Sequence, residues 1–114
     1  MAGFKADRTA EDLKRELSDI MRSLKDPRIT GMLSIVRLDL SGDQSYCKVY
    51  ISSLEGLEKA QEAVKGLKNA EGFIKHEING RMKLRKLPHF QFIADDSIAH
   101  LAEISKTLNE LMKE

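Results

Sequence analysis

At Asn69-Ala70-Glu71-Gly72 one apolar helical stripe stops and another begins, and this junction restricts the fold more than any other feature of the chain. Before it, Leu57, Ala60, Val64 and Leu67 recur at three- and four-residue spacing. After it, Phe73, Ile74, Ile78 and Met82 do the same, the pattern of a helix with one buried face. Gly72 is the residue type that most weakens a helix interior, by roughly 1 kcal/mol relative to Ala. Asn69 suits a helix end. The spacing therefore predicts two helices, together spanning about Leu57 to about Leu84, that meet at a sharp angle. A dense basic run follows them.

The flanking segments supply the remaining elements. Ala10, Leu13, Leu17, Ile20, Met21 and Leu24 form a helical stripe, opened by Thr9 or Asp7 as a cap. Pro27 ends it, because the residue before a proline is pushed out of the α region. Lys25-Asp26-Pro27-Arg28 is then a turn, and Gly31 permits a second bend. Leu33 to Leu40 and Tyr46 to Ser52 alternate as strands around the turn residues Ser41-Gly42-Asp43-Gln44, which makes an antiparallel hairpin. After Leu87-Pro88, His89 to Ala94 reads as a third strand. Asp95-Asp96-Ser97 caps a last helix that carries Ile98, Leu101, Ala102, Ile104, Leu108 and Leu111 on one side.

The order is α-β-β-α-α-β-α. Three strands with helices on one face make an α+β two-layer sandwich. At 114 residues, 41% of them hydrophobic, the expectation is one domain over residues 1–114 with an ordered core of about 8–112. Cys47 is the only cysteine, which excludes an intrachain disulfide framework, and its apolar neighbours predict a buried, inert thiol. The N-terminus has no apolar signal-peptide region, and no stretch approaches a membrane span. A cytoplasmic protein with no membrane partner is expected.

Charge is uninformative in total, at +1, but not in its distribution. Residues 68–89 hold six basic residues (Lys68, Lys75, Arg81, Lys83, Arg85 and Lys86) against the acids Glu71 and Glu77, a local +4, and the remainder of the chain is −3. Such asymmetry predicts one positive face, as a nucleic-acid binder needs, or else a solvated helix flank. Enzymatic sites are poorly represented. Asp95 and Asp96 are better explained by helix capping, and there is no His pair at metal-ligand spacing, no Gly-rich phosphate loop and no nucleophile elbow. No enzyme, metal, cofactor or small-molecule substrate is expected.

The element order α-β-β-α-α-β is that of the type II KH domain, an RNA-binding fold. Most KH domains place a G-x-x-G loop between the paired helices to clamp the nucleic-acid backbone. Here the junction carries a single glycine, so the usual clamp is missing. In combination, five segments resemble the bacterial ribosome-binding factor A family of small-subunit assembly factors. They are Lys25-Asp26-Pro27-Arg28 with Gly31-Met32, Tyr46-Cys47-Lys48-Val49-Tyr50-Ile51, Ala70-Glu71-Gly72-Phe73-Ile74, Met82-Lys83-Leu84-Arg85-Lys86-Leu87-Pro88, and Phe92-Ile93-Ala94-Asp95-Asp96-Ser97. The third resembles the Ala-x-Gly kink that replaces G-x-x-G in that family. The resemblance runs from about Thr9 to Leu111. It implies a KH-like fold, association with free or immature 30S subunits, contact with 16S rRNA and support for processing of its 5′ end. It also implies growth in the cold as a setting, and action by binding and release rather than catalysis, by a monomer.

RNA contact needs cations for phosphates and closely approachable backbone for sugars. Lys75, Arg81, Lys83, Arg85 and Lys86 fit the first need, with Arg81 and Arg85 favoured because a guanidinium can hold phosphate bidentately. Asn69 and Gly72 either let the kink approach a ribose or phosphate or form, with Ala70 and Glu71, an architectural corner. Lys25 and Arg28 either extend the positive surface or, for Arg28, pair with Asp26. Tyr46 and Tyr50 share a strand face, where they pack against neighbours or stack on bases. The rival reading is a protein-interaction module that docks its basic face on an acidic protein.

Overall fold

The computed structural model describes residues 2–29, 32–82, 84 and 86–112. Its elements run α1 (Ala2–Ser23), β1 (Leu33–Leu40), β2 (Tyr46–Ser53), α2 (Leu57–Asn69), α3 (Glu71–Arg81), β3 (His89–Asp95) and α4 (Ser97–Met112), the α+β order expected. The sheet order is β1-β2-β3, with β1 antiparallel and β3 parallel to β2. The bend expected at Gly31 lies outside the described residues.

The hairpin between β1 and β2 closes where turn chemistry placed it. Ser41 N–H donates to the Tyr46 carbonyl at 2.9 Å, and Gln44 takes a positive φ of 60°. Asp43 accepts from the Ser41 hydroxyl, the Ser45 hydroxyl and the Ser45 N–H, at 2.8, 2.8 and 3.0 Å. These donors stabilise its charged form and hold its carboxyl down at about 2. A bulge between Ile35 and Arg37 re-phases β1, so that Leu38 and Leu40 return to the face of Leu33 and Ile35.

Alternation then sorts the sheet. Cys47, Val49 and Ile51 of β2 and Phe90 and Phe92 of β3 are buried against Leu13, Leu17 and Ile20 of α1, Ala63, Val64 and Leu67 of α2, and Ile74 and Ile78 of α3. Cys47 is fully buried, and desolvation pushes its thiol up to about 12, as an inert core group requires. The chain enters α2 through Gly56, whose φ of 116° favours glycine.

Four expectations need correction. α1 begins at Ala2, not at a cap near Thr9, because the preceding residues hold no proline and their one glycine, Gly3, falls in the first turn. α3 stops at Arg81 rather than near Leu84, where Met82 turns extended with φ −128° and ψ 135°. Phe73 and Leu57 are exposed members of their stripes, so the buried faces of α3 and α2 are narrower than the periodicity suggests. In α4, Leu101, Ile104 and Leu108 face solvent, because an apolar stripe does not by itself bring another element to cover it. That start is well capped: Asp95 Oδ1 accepts from Ser97 N–H at 2.7 Å, and the buried Ser52 hydroxyl accepts from Ile98 N–H at 3.2 Å.

Candidate nucleic-acid interface

The break between α2 and α3 is one residue long. Ala70, at φ −92° and ψ 8°, sits in the bridge region, and its N–H is shared between the Gly66 and Leu67 carbonyls at 3.1 Å each. Its own carbonyl accepts from Ile74 N–H at 2.9 Å and so opens α3. α2 packs over β2 and β3, whereas α3 packs against α1, which is why the helical path must turn. Gly72 lies within α3, exposed, with open space where a Cβ would stand. The corner therefore belongs to Ala70, and Gly72 supplies a bare stretch of backbone beside it.

The turn after α1 is fastened to this corner. Arg28 donates to both carboxylate oxygens of Asp26, Nη2 to Oδ2 at 2.8 Å and Nε to Oδ1 at 3.1 Å, and its N–H also reaches Oδ1 at 2.8 Å. With the Asn69 amide oriented oxygen-first toward the guanidinium, Asn69 accepts from Nη1 and Nη2 at 3.2 and 3.0 Å. The hydrogen bonds from Arg28 hold the Asp26 carboxyl below its ordinary value. Beneath them, Gly66 is buried so tightly that a Cβ would stand 2.9 Å from Ile29 Cγ1. Sequence reading passed over Gly66, although a glycine amid a helical stripe opposite a Pro turn is the signal for close approach.

Arg81 is also committed. Its guanidinium reaches Glu16 Oε2 at 3.2 Å and Asp19 Oδ2 at 2.5 Å, tying α3 to α1 and drawing the Asp19 carboxyl down. Its geometry is that of a staple between α1 and α3. Lys83 and Arg85 lie outside the described residues. Lys25 is exposed in the turn before Asp26.

The remaining members converge at the start of β3. Lys75 Nζ donates to His89 Nδ1 at 3.1 Å and lies 3.5 Å from Glu71, so it links the first turn of α3 to the sheet. The His89 ring stands 5.8 Å from that of Tyr46, and His89 N–H donates to the Ser45 carbonyl at 2.9 Å. Lys86 Nζ donates to the Ser45 hydroxyl at 2.8 Å. Two lysines, a histidine and an exposed tyrosine thus meet beside the Ala70 corner, a combination that offers cations for phosphate and rings for bases. Tyr46 is open to solvent, and only Tyr50 takes the packed role, under the Arg37 guanidinium at 5.4 Å. His76 and His100 are exposed surface positions. Among the described residues there is no group of three metal-ligating side chains, and no helix is long and apolar enough to cross a membrane.

Comparison with known proteins bears on this arrangement. A family model described as Ribosome-binding factor A matches residues 5–108. A ribosome-binding factor A from Caldanaerobacter subterraneus subsp. tengcongensis is 42% identical over 112 residues, covering 97% of this chain and 92% of that protein. One from Clostridium tetani is 40% identical over 112 residues, covering 97% and 93%. The crystal structure of ribosome-binding factor A from Thermus thermophilus superposes with a TM-score of 0.68 at 28% identity, over 77% of this chain and 93% of that one. Coordinates of the Thermus thermophilus factor fitted into a cryo-EM map of a 30S complex match with a TM-score of 0.63 at 29% identity, over 75% and 89%.

Proposed function

The chain belongs to the ribosome-binding factor A family, and from that premise we propose that it binds free or immature 30S subunits in the cytoplasm, contacts 16S rRNA and assists maturation of the 5′ end. It acts as a monomer, by binding and release without bond-making chemistry, and its service is greatest in the cold, where misfolded RNA persists. The observation that carries the reading is the meeting of Lys75, Lys86 and His89 on Ser45-Tyr46, next to the Ala70 corner.

In this reading Lys75 and Lys86, with Lys83 and Arg85 from the same basic segment, neutralise phosphates, and Lys25 extends the surface. Gly72 and the adjoining exposed Phe73 form the part of the corner that RNA approaches. Asn69 and Arg28 hold that corner in place, and Arg81 secures α3 behind it.

The test is co-sedimentation with free 30S subunits, 70S ribosomes and 50S subunits across a salt series. Binding to free 30S alone is expected, with log affinity falling linearly against log salt by about 0.7–0.9 per phosphate contact. Binding of equal strength to 50S, or a slope near zero, would overturn it.

A further inference from the structure

Both tyrosines of the chain lie on the face of the sheet turned away from α1, α2 and α3. Tyr46, Lys48 and Tyr50 alternate with the buried Cys47, Val49 and Ile51, and register places His89, Gln91 and Ile93 on one side of them and Arg37 and Asp39 on the other. Tyr46 is 64% exposed. Its ring and the exposed His89 ring are inclined by 34°. Four residues along the strand, roughly 13 Å away, Arg37 is drawn over the Tyr50 ring and held there by its pair with Asp39 at 3.0 Å. Between these two platforms lies the exposed Lys48, and a shallow cleft of about 190 Å³ opens beside Tyr46, lined by Asp39, Leu40, Ser41 and Lys48. α4 meets the sheet at the far end, where Ile98 N–H donates to the Ser52 hydroxyl.

A ring as exposed as Tyr46 adds little to the core, and with the half-buried Tyr50 on the same pleated face, each ring with a cation beside it, the two match the requirements of base stacking. We propose that the open face of the sheet binds single-stranded RNA, one base stacking on the Tyr46–His89 pair and another on the Tyr50–Arg37 pair. Lys48, Lys75 and Lys86 flank the first platform and take the intervening phosphates. Asp39 and Asp43 keep the face from becoming strongly positive, and Asp43 is already saturated by its serine donors. Recognition therefore rests on rings rather than on charge alone, which selects unpaired bases over duplex. This inference rests on the 30S reading, with which it shares Tyr46, His89, Lys75 and Lys86, and extends that contact across the sheet to Tyr50 and Arg37.

With two tyrosines and no tryptophan, intrinsic fluorescence reports this face directly. The experiment titrates the full chain with a single-stranded uridine decamer, with the same length of RNA duplex, and with polyglutamate. Quenching by the single strand is expected, with Tyr46→Leu weakening binding about tenfold, the size of one lost stack, and Tyr46→Phe restoring it. Circular dichroism of Tyr46→Leu checks that this exposed substitution leaves the fold intact. Equal binding of duplex or polyglutamate, or wild-type affinity in Tyr46→Leu, would overturn the proposal. Co-sedimentation of the unaltered chain with free 30S subunits in those cases would show that the failure belongs to the sheet face and not to the 30S reading.

Discussion

The Arg28 guanidinium bridges Asp26 and the side-chain amide of Asn69, the last residue of α2, at 3.0 and 3.2 Å to the amide. One side chain thus joins the turn after the first helix to the residue that precedes the Ala70 corner. Removing the acceptor with Asn69→Ala leaves the Arg28–Asp26 pair intact and frees only the corner. Amide exchange at Ala70 is expected to quicken while exchange in β2 is unchanged. Equal acceleration in both places would mean that the bridge holds the whole fold, and no change in either would mean that it holds nothing.

Two glycines on the same helical path respond in opposite directions to alanine. Gly66→Ala forces a methyl against Ile29, and overpacking of this kind costs about 1–3 kcal/mol, only partly offset by the roughly 1 kcal/mol gained in helix propensity. Gly72→Ala enters open space in a regular turn of α3 and raises stability by about 0.5–1 kcal/mol. It does not straighten the junction, since the break is at Ala70. Urea midpoints separate the two, and reduced 30S binding by the more stable Gly72→Ala would mark backbone approach at this point.

Charge reversal separates staple from contact. Arg81→Glu places a third carboxylate beside Glu16 and Asp19, so it lowers the thermal midpoint, and added salt partly restores it. Lys86→Glu disturbs one exposed hydrogen bond to Ser45, leaves the midpoint near wild type and weakens 30S co-sedimentation. A Lys86→Glu protein that binds normally would remove this lysine from the interface.

Acid sensitivity follows from the turn carboxylates. Asp43 sits at about 2 instead of 3.8 because Ser45 and Ser41 donate to its charged form. The unfolded chain binds the proton first as pH falls, so the stability from Asp43 is full above 3.8 and disappears as pH drops through about 2. Asp19 and Asp26, lowered by bonds from Arg81 and Arg28, act in the same direction. Stability measured against pH is expected to fall less steeply below about 4 in Asp43→Asn than in the wild type.

Element order, the hairpin and the helix junction were legible in the residues because each is a local matter. Ser41-Gly42-Asp43-Gln44 makes a turn by short-range hydrogen bonds, and the alternation of β2 is confined to eight residues. The placement of the α4 cap at Asp95 likewise needs only neighbours. Periodicity misjudged Phe73, Leu101, Ile104 and Leu108, since a stripe shows that a helix can bury one side but not whether another element arrives to cover it.

The candidate binding residues divided on the same principle. Composition and spacing alone determined a basic segment after a bent helix pair on an α+β sandwich, since the charge, the turn signals and the helical repeats lie close together along the chain. Only the tertiary structure decided which cations are committed. Arg81 meets Asp19 and Glu16 from 62 and 65 residues away, and Lys86 meets Ser45 from 41. Tyr46 and His89 become one surface because β3 lies parallel to β2 in a particular register. Such pairings depend on how the whole core closes, and the positions involved carry no mark of it in their own neighbourhoods.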